Sequence, residues 1–180
     1  MKNRKSILFF FFLLISCMGC KCKEAISPED KLPPATQSGA NTFGFLLNRE
    51  VWLPNRAFGS KNISWYYDTE FAGGDLNVSA YRYLSDLDKQ SIAVGMVNLK
   101  TIGNYTISNE SDAAIRFFSL KDSCELSSLD SLTYCAGELA ITRLDTLNGV
   151  ISGTFWATLY DPSCKDTIKI TEGRFDLSGN

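Results

Sequence analysis

From Thr42 onward the chain repeats one pattern: short runs in which apolar and polar residues alternate, cut by turn residues. A period of two puts successive side chains on opposite faces of a strand, and no stretch keeps a 3.6-residue period for three turns. The pattern predicts strands over 42–48, 50–54, 61–68, 75–84, 90–99, 103–108, 112–120, 134–144, 149–160 and 166–177. Turn chemistry falls between them, at Ala72-Gly73-Gly74-Asp75, Ser85-Asp86-Leu87-Asp88, Asn109-Glu110-Ser111 and Asn148-Gly149. Leu126, Leu129 and Leu132 stand three apart in the stretch 121–133, which is read as a loop holding one helical turn. The fold expected is all-β: an antiparallel sandwich or partly closed barrel of about ten short strands, with a meander in the C-terminal third.

The C-terminal third allows a register to be set. One face of 137–144 carries Leu139 and Ile141; one face of 150–160 carries Ile151, Phe155, Ala157 and Leu159. Pairing Leu139 with Phe155 sets Ile141 against Gly153 and keeps both apolar faces together, since a slip by one residue would invert them. Asp145-Thr146-Leu147-Asn148-Gly149 is the hairpin turn, with glycine free to take a positive φ. The next hairpin turns at 161–165, Ile168 and Ile170 continue the core face, and Glu172-Gly173 reads as a bulge before Phe175.

Ahead of the strands lie two other segments. Lys2, Arg4 and Lys5 precede an unbroken apolar run, Ile7 to Ile15. Nine helical residues rise about 13 Å, short of the roughly 30 Å hydrocarbon core, so the run is a secretory signal and not a span. It ends Leu14-Ile15-Ser16-Cys17, which resembles the lipobox of bacterial lipoproteins, whose cysteine takes a diacylglyceryl group and, after cleavage, a further acyl chain such as palmitate. Several acyl chains anchor stably where one does not. A rival lipobox ends at Cys20 but has a poor residue three before the cut, so Cys17 is preferred. Met18 follows Cys17 where an aspartate would favour the inner membrane, which points to the outer membrane. The division expected is a signal peptide over 1–16, a lipidated N-terminus and tether over 17–40, and one β domain over 41–180.

Removal of 1–16 leaves 164 of the 180 residues, enough for one domain with a real core. The signal carries three of the 18 basic residues, so 15 face 20 acidic ones and the net charge is −5. A mildly acidic domain without a basic cluster is a poor nucleic-acid binder. There is no histidine, which removes Ser-His-Asp and Cys-His catalysis and the usual zinc ligand sets. Carboxylate pairs stay chemically open, as in glycosidases. Cys17, Cys20 and Cys22 spell C-x-x-C-x-C, but a thioether-linked Cys17 cannot ligate a metal, so no metal and no cofactor is expected.

Outside the cytoplasm the remaining cysteines can oxidise. The turn at 145–149 lies at one end of the sheet, so 121–133 and 161–165 lie at the other and bring Cys124, Cys135 and Cys164 together. Cys124–Cys164 is the favoured pair, because two loops approach freely; Cys135, near a strand's start, is the alternative partner.

Aromatics crowd 65–83: Trp65, Tyr66, Tyr67, Phe71, Tyr81 and Tyr83. Tyr81 and Tyr83 fall opposite the apolar face of their strand, as do Trp156 and Tyr160. Flat apolar rings bind ligands at low entropy cost, so Trp65, Tyr67, Tyr81, Tyr83 and Trp156 are a candidate platform for a glycan. The competing explanation is that Tyr and Trp simply favour strands. Asp130-Ser131-Leu132, Asp145-Thr146-Leu147 and Asp166-Thr167-Ile168 fit an Asp-Ser/Thr-aliphatic O-glycosylation signal, with Ser131, Thr146 and Thr167 as acceptors. Asn62, Asn77, Asn104 and Asn109 head N-linked sequons, which a bacterial lipobox discounts.

The block Leu32-Pro33-Pro34-Ala35-Thr36-Gln37-Ser38-Gly39-Ala40-Asn41-Thr42-Phe43-Gly44 resembles the L-P-P-A-T-Q-x-G-A-N-T-F-G block of an uncharacterised family of Bacteroidota lipoproteins, a domain of unknown function. Arg49 replaces the family's hairpin glycine and Phe45 its cysteine. Gly103-x-Tyr105, Gly137-x-Leu139-x-Ile141-Thr142, Ile151 to Phe155 and Ile170 to Asp176 match its spacing, so the resemblance covers the whole mature chain. It implies a β fold and an envelope location and supplies no catalytic residue. The expected function is a non-enzymatic, lipid-anchored envelope protein that binds a glycan or an envelope protein or plays a structural part. The alternatives are a carboxylate-dependent glycan hydrolase and an accessory subunit of an outer-membrane assembly.

Overall fold

The computed structural model describes residues 27–55, 62–164 and 166–179. The signal, Cys17, Cys20 and Cys22 lie outside the described residues. Eleven strands form among them: β1 (Thr42–Leu47), β2 (Glu50–Trp52), β3 (Ile63–Asp68), β4 (Asp75–Ser85), β5 (Asp88–Met96), β6 (Gly103–Ile107), β7 (Ala113–Ser119), β8 (Cys124–Ser127), β9 (Tyr134–Asp145), β10 (Val150–Tyr160) and β11 (Thr167–Ser178). They make one mostly antiparallel sheet in the order β2-β1-β11-β10-β9-β6-β7-β5-β4-β3, with β8 on β7, and the sheet is not closed into a barrel.

The sheet folds over a single core. Between its strands the one parallel junction is a lone pair, Ile107 with Ala113, where β6 gives way to β7; a single residue after β2, Asn55, also bridges Arg82 of β4 in parallel. Phe43, Phe45, Trp52, Phe155 and Phe175 from the first half pack in one cluster with Leu76, Val78, Ile92, Ile115 and Phe117 from the second. Phe45 stacks on Trp52 at 4.7 Å, and the Trp52 indole N–H donates across to Gln90 Oε1 at 2.7 Å. The architecture is sandwich-like.

The strongest alternation gives the register it dictates. Leu139 pairs with Phe155 and Ile141 with Gly153. On β11 the register shifts between Phe155↔Gly173 and Ala157↔Ile170, so Trp156 faces two residues, Thr171 and Glu172. Glu172 takes a φ of +54°. Gly173 follows because a Cβ there would lie 2.5 Å from the Phe155 carbonyl oxygen and 2.6 Å from its ring. A side chain at 173 must therefore displace a core phenylalanine.

Two expectations need correction. The stretch 121–133 holds β8 and not a helical turn: Cys124, Leu126 and Ser128 point inward by strand alternation, and β8 pairs with Arg116–Ser119 of β7. The leucines three apart belong partly to that strand and partly to the exposed turn that follows. Second, residues 32–40, read above as tether, pack on the sheet. Leu32 is buried, and Leu32 and Pro33 lie over Gly44 of β1. From there to Asn41 the chain runs as a strap across the outer face of β1, β11 and β10.

One carboxylate holds the strap. Asp176, on the outer side of β11, is 1% exposed. Its Oδ2 accepts from Thr36 Oγ1 (2.6 Å), Ser38 N (2.9 Å), Ser38 Oγ (3.2 Å) and Ala40 N (3.1 Å). Its Oδ1 accepts from Gly39 N and Ser152 Oγ, both at 2.7 Å. Gly39, at φ +76°, turns its amide towards the acid; a Cβ would strike Ser178 at 2.8 Å. Arg143 of β9 donates to the Gln37 carbonyl, and Asn41 exchanges two hydrogen bonds with Ser178. Burial acts to raise the Asp176 carboxyl, but the hydrogen bonds from Thr36, Ser152, Gly39 and Ser38 outweigh it and hold the group well below the usual carboxylate range.

Candidate functional site

The five platform aromatics do not come together. Trp65 and Tyr67 pair in register with Val78 and Leu76 and so turn towards the core side of β3. The Tyr67 hydroxyl donates to the Leu99 carbonyl at 2.6 Å. These two rings line a cleft of about 390 Å³ with Leu144, Thr146 and Val150. Tyr81 and Tyr83 lie on the outer face of β4, where Tyr83 donates to Asp86 and stands under Lys89 Nζ at 5.3 Å. Trp156 lies on the outer face of the other half. Aromatic density along the chain ignores which face each ring takes, and strand alternation separates them.

Trp156 has the surroundings of a site. It is 46% exposed, between Glu138 of β9 and the bulge of β11. The pocket beside it, about 490 Å³, is lined by Ala35 of the strap, Glu138, Thr154, Thr171 and Arg174. The bulge shapes one wall and the strap another. Arg174 is fixed by its own bulge: Nε donates to the Glu172 carbonyl at 3.0 Å and Nη2 to Glu172 Oε2 at 2.9 Å. A flat ring, hydroxyls, an oriented guanidinium and a carboxylate thus converge on one concavity. Such a set can stack on an apolar face and bond the polar edge of the same ligand.

Sequence reasoning missed Tyr134. It is 60% exposed and directly opposite Tyr160, itself 40% exposed, on the same face as Trp156. The signal was available: Cys135 starts an inward alternation, which sends Tyr134 outward.

The other half carries a smaller groove of about 340 Å³ over Ala93, Gly95 and Ala114, edged by Asp75, Asp112 and Arg116. Small residues form its floor, and no aromatic ring lines it.

The structure joins Cys124 to Cys164 and leaves Cys135 free and buried. Burial pushes the Cys135 thiol up to about 11, so it stays protonated and inert at neutral pH. The disulfide ties β8 to the β10–β11 loop, where Cys124 faces the last residue of β7, Ser119. In that loop Asp161 accepts from Ser163 N at 2.7 Å and from Thr133 Oγ1 at 3.3 Å. These bonds, led by the Ser163 hydroxyl and amide, lower its carboxyl.

Ser131, Thr146 and Thr167 are all exposed, in the β8–β9 turn, the β9–β10 turn and the first position of β11. Two of the flanking acids serve their own turns: Asp130 accepts from Leu132 N at 2.9 Å and Asp145 from Asn148 N at 3.0 Å. Asn148 and Arg143 hold the Asp145 carboxyl down at about 2.

Among the described residues no group of three or more Cys, Asp or Glu is placed to hold a metal ion, and no helix is long and apolar enough to cross a membrane. No known protein family, curated protein or solved structure matches the chain.

Proposed function

We propose that this chain is a lipid-anchored, non-catalytic module of the bacterial cell envelope, anchored through Cys17 in the outer membrane, that binds a ligand at the Trp156 pocket. The observation that carries the binding half is Trp156 itself. A ring this exposed, beside a pocket whose bulge fixes an arginine, has no packing role that needs it there. The anchoring half rests on the charged start, the short apolar run and the Leu14-Ile15-Ser16-Cys17 ending. Leu32, where the strap begins, is fifteen residue steps beyond Cys17, so the domain sits at most about 50 Å from its anchor. Exposed Ser131, Thr146 and Thr167 are the proposed O-glycan acceptors; Ser131 and Thr146 lie in turns, and Thr167 stands on β11 opposite Tyr160.

Cys17→Ala is expected to move the protein from the membrane to the soluble fraction and to abolish incorporation of labelled palmitate. A variant that still sediments with membranes and still takes up label would sink the anchor.

A second reading has one observation in its favour. Glu138 and Glu172 stand on the strands either side of β10, so two carboxylates bracket Trp156 at roughly 10 Å along the sheet. Inverting glycosidases use pairs about 6.5–9.5 Å apart. Under the leading reading the protein releases no reducing ends from any polysaccharide it retains. Release that stops in Glu138→Gln, with retention unchanged, would establish the hydrolase instead.

A further inference from the structure

The outer face of β10 carries a row of rings. Trp156 stands at one station and Tyr160, four residues on, at the next, with Tyr134 of β9 directly opposite Tyr160. Four strand residues span about 13 Å, and facing cross-strand side chains lie about 5 Å apart at Cβ. Between the stations Thr158 of β10 and Ala136 of β9 are low, and Lys169 of β11 borders them on the other side. On β9 and β10 no side chain longer than threonine interrupts a ligand laid from one station to the other. At 40–60% exposure the three rings are far more open than the core aromatics.

The charges select the ligand. Glu138 and Glu172 face Lys169 and Arg174 around this row, two acids against two bases. An anionic polymer meets carboxylates on both sides of Trp156, and a polycation meets the two bases. An apolar protein surface would bury all four charges, at a desolvation cost. What complements the face is a neutral chain with flat apolar sides and hydroxylated edges.

We propose that this row is an extended binding face for a neutral oligosaccharide. Sugar C–H faces stack on Trp156 and on the Tyr134–Tyr160 pair, while Thr154, Thr158, Glu138 and Arg174 take the hydroxyls. This rests on Trp156 as the ligand site and adds the ligand's class and its direction along β10.

The test uses the mature chain against a broad glycan array, then titration with the bound glycan cut to increasing lengths. Affinity is expected to rise with length until both stations are spanned. Trp156→Ala abolishes binding. Tyr134→Ala with Tyr160→Ala weakens long chains about tenfold and leaves short ones unchanged. Tyr81→Ala, an exposed ring on the other half, changes nothing. All these positions are exposed, so unchanged melting temperatures certify the folds. Trp156-dependent binding that ignores both length and the two tyrosines overturns the extended face and spares the pocket. Preference for anionic glycans, or a Trp156-dependent protein partner in place of a glycan, overturns the ligand class alone. Failure of every neutral glycan to bind, with no Trp156-dependent ligand of any other kind, overturns both.

Discussion

Asp176→Ala is expected to lower the urea unfolding midpoint by an amount equal to about 3–5 kcal/mol, the cost of breaking a buried charged network. The carboxylate accepts six hydrogen bonds, from Thr36, Ser38, Gly39, Ala40 and Ser152. Removing it leaves three amides and three hydroxyls without an acceptor beside a buried strand. Asp176→Asn keeps the shape but turns an N–H towards these donors, so it is expected to be nearly as severe. Thr36→Val removes one bond and should cost about 1 kcal/mol. Hydrogen exchange supplies the local readout: the amides of 38–40 are slow in the wild type and fast in Asp176→Asn. If they stay slow, the carboxylate does not hold the strap.

The same group sets a pH dependence. A carboxyl held below its free value near 4 contributes stability that is whole above that pH and is lost as the pH falls through the folded value. Asp145, at about 2, adds to the loss between about pH 4 and 2. The wild type is therefore expected to lose stability steeply below pH 4, while Asp176→Asn, already lacking the larger share, changes less. Parallel acid profiles for the two proteins would contradict the assignment.

The second large effect is expected from the disulfide. Cys124 and Cys164 close a loop of 40 residues, for which the chain-entropy model gives about 4 kcal/mol. For a domain of this size that is about 10 °C in melting temperature. Cys124→Ser with Cys164→Ser should show it, and reduction of the wild type should reproduce it. Cys135 is no substitute, because its buried thiol is protonated and faces the core. Because the constraint acts on the unfolded chain, the slowest core amides should exchange faster throughout, with the largest local gain in β8 and the β10–β11 loop. A shift under about 2 °C would mean that hydrogen bonding alone holds this corner.

How much of this could be read in the chain depends on where the information lies. The β9–β10 register was legible because turn and alternation are local and agree, so Leu139 could face only Phe155. β8 was not, because four residues offer too short an alternation to outweigh three leucines at a helical interval. The strap was the larger miss. Its prolines and small polar residues carry no period, and its order comes from one acid 140 residues further on than Thr36. Asp176 alternates outward between Phe175 and Leu177 and so reads as a solvent-facing residue. The aromatic site was half legible: Trp156 fell on the correct outer face, whereas Trp65 and Tyr67 needed the β3–β4 register before their side could be known.

The strap also bears on the proposed export. A chain that leaves the cytoplasm N-terminus first presents residues 32–41 long before β11, and until β11 arrives the carboxylate that takes most of their hydrogen bonds is missing. In the anchored form proposed here, a nascent domain hangs on a leash longer by about 30 Å than the finished one. Completing the last strand reels the domain in. Its standing height above the membrane becomes a record that its C-terminus has folded, readable from outside by any protease that can reach the unreeled segment.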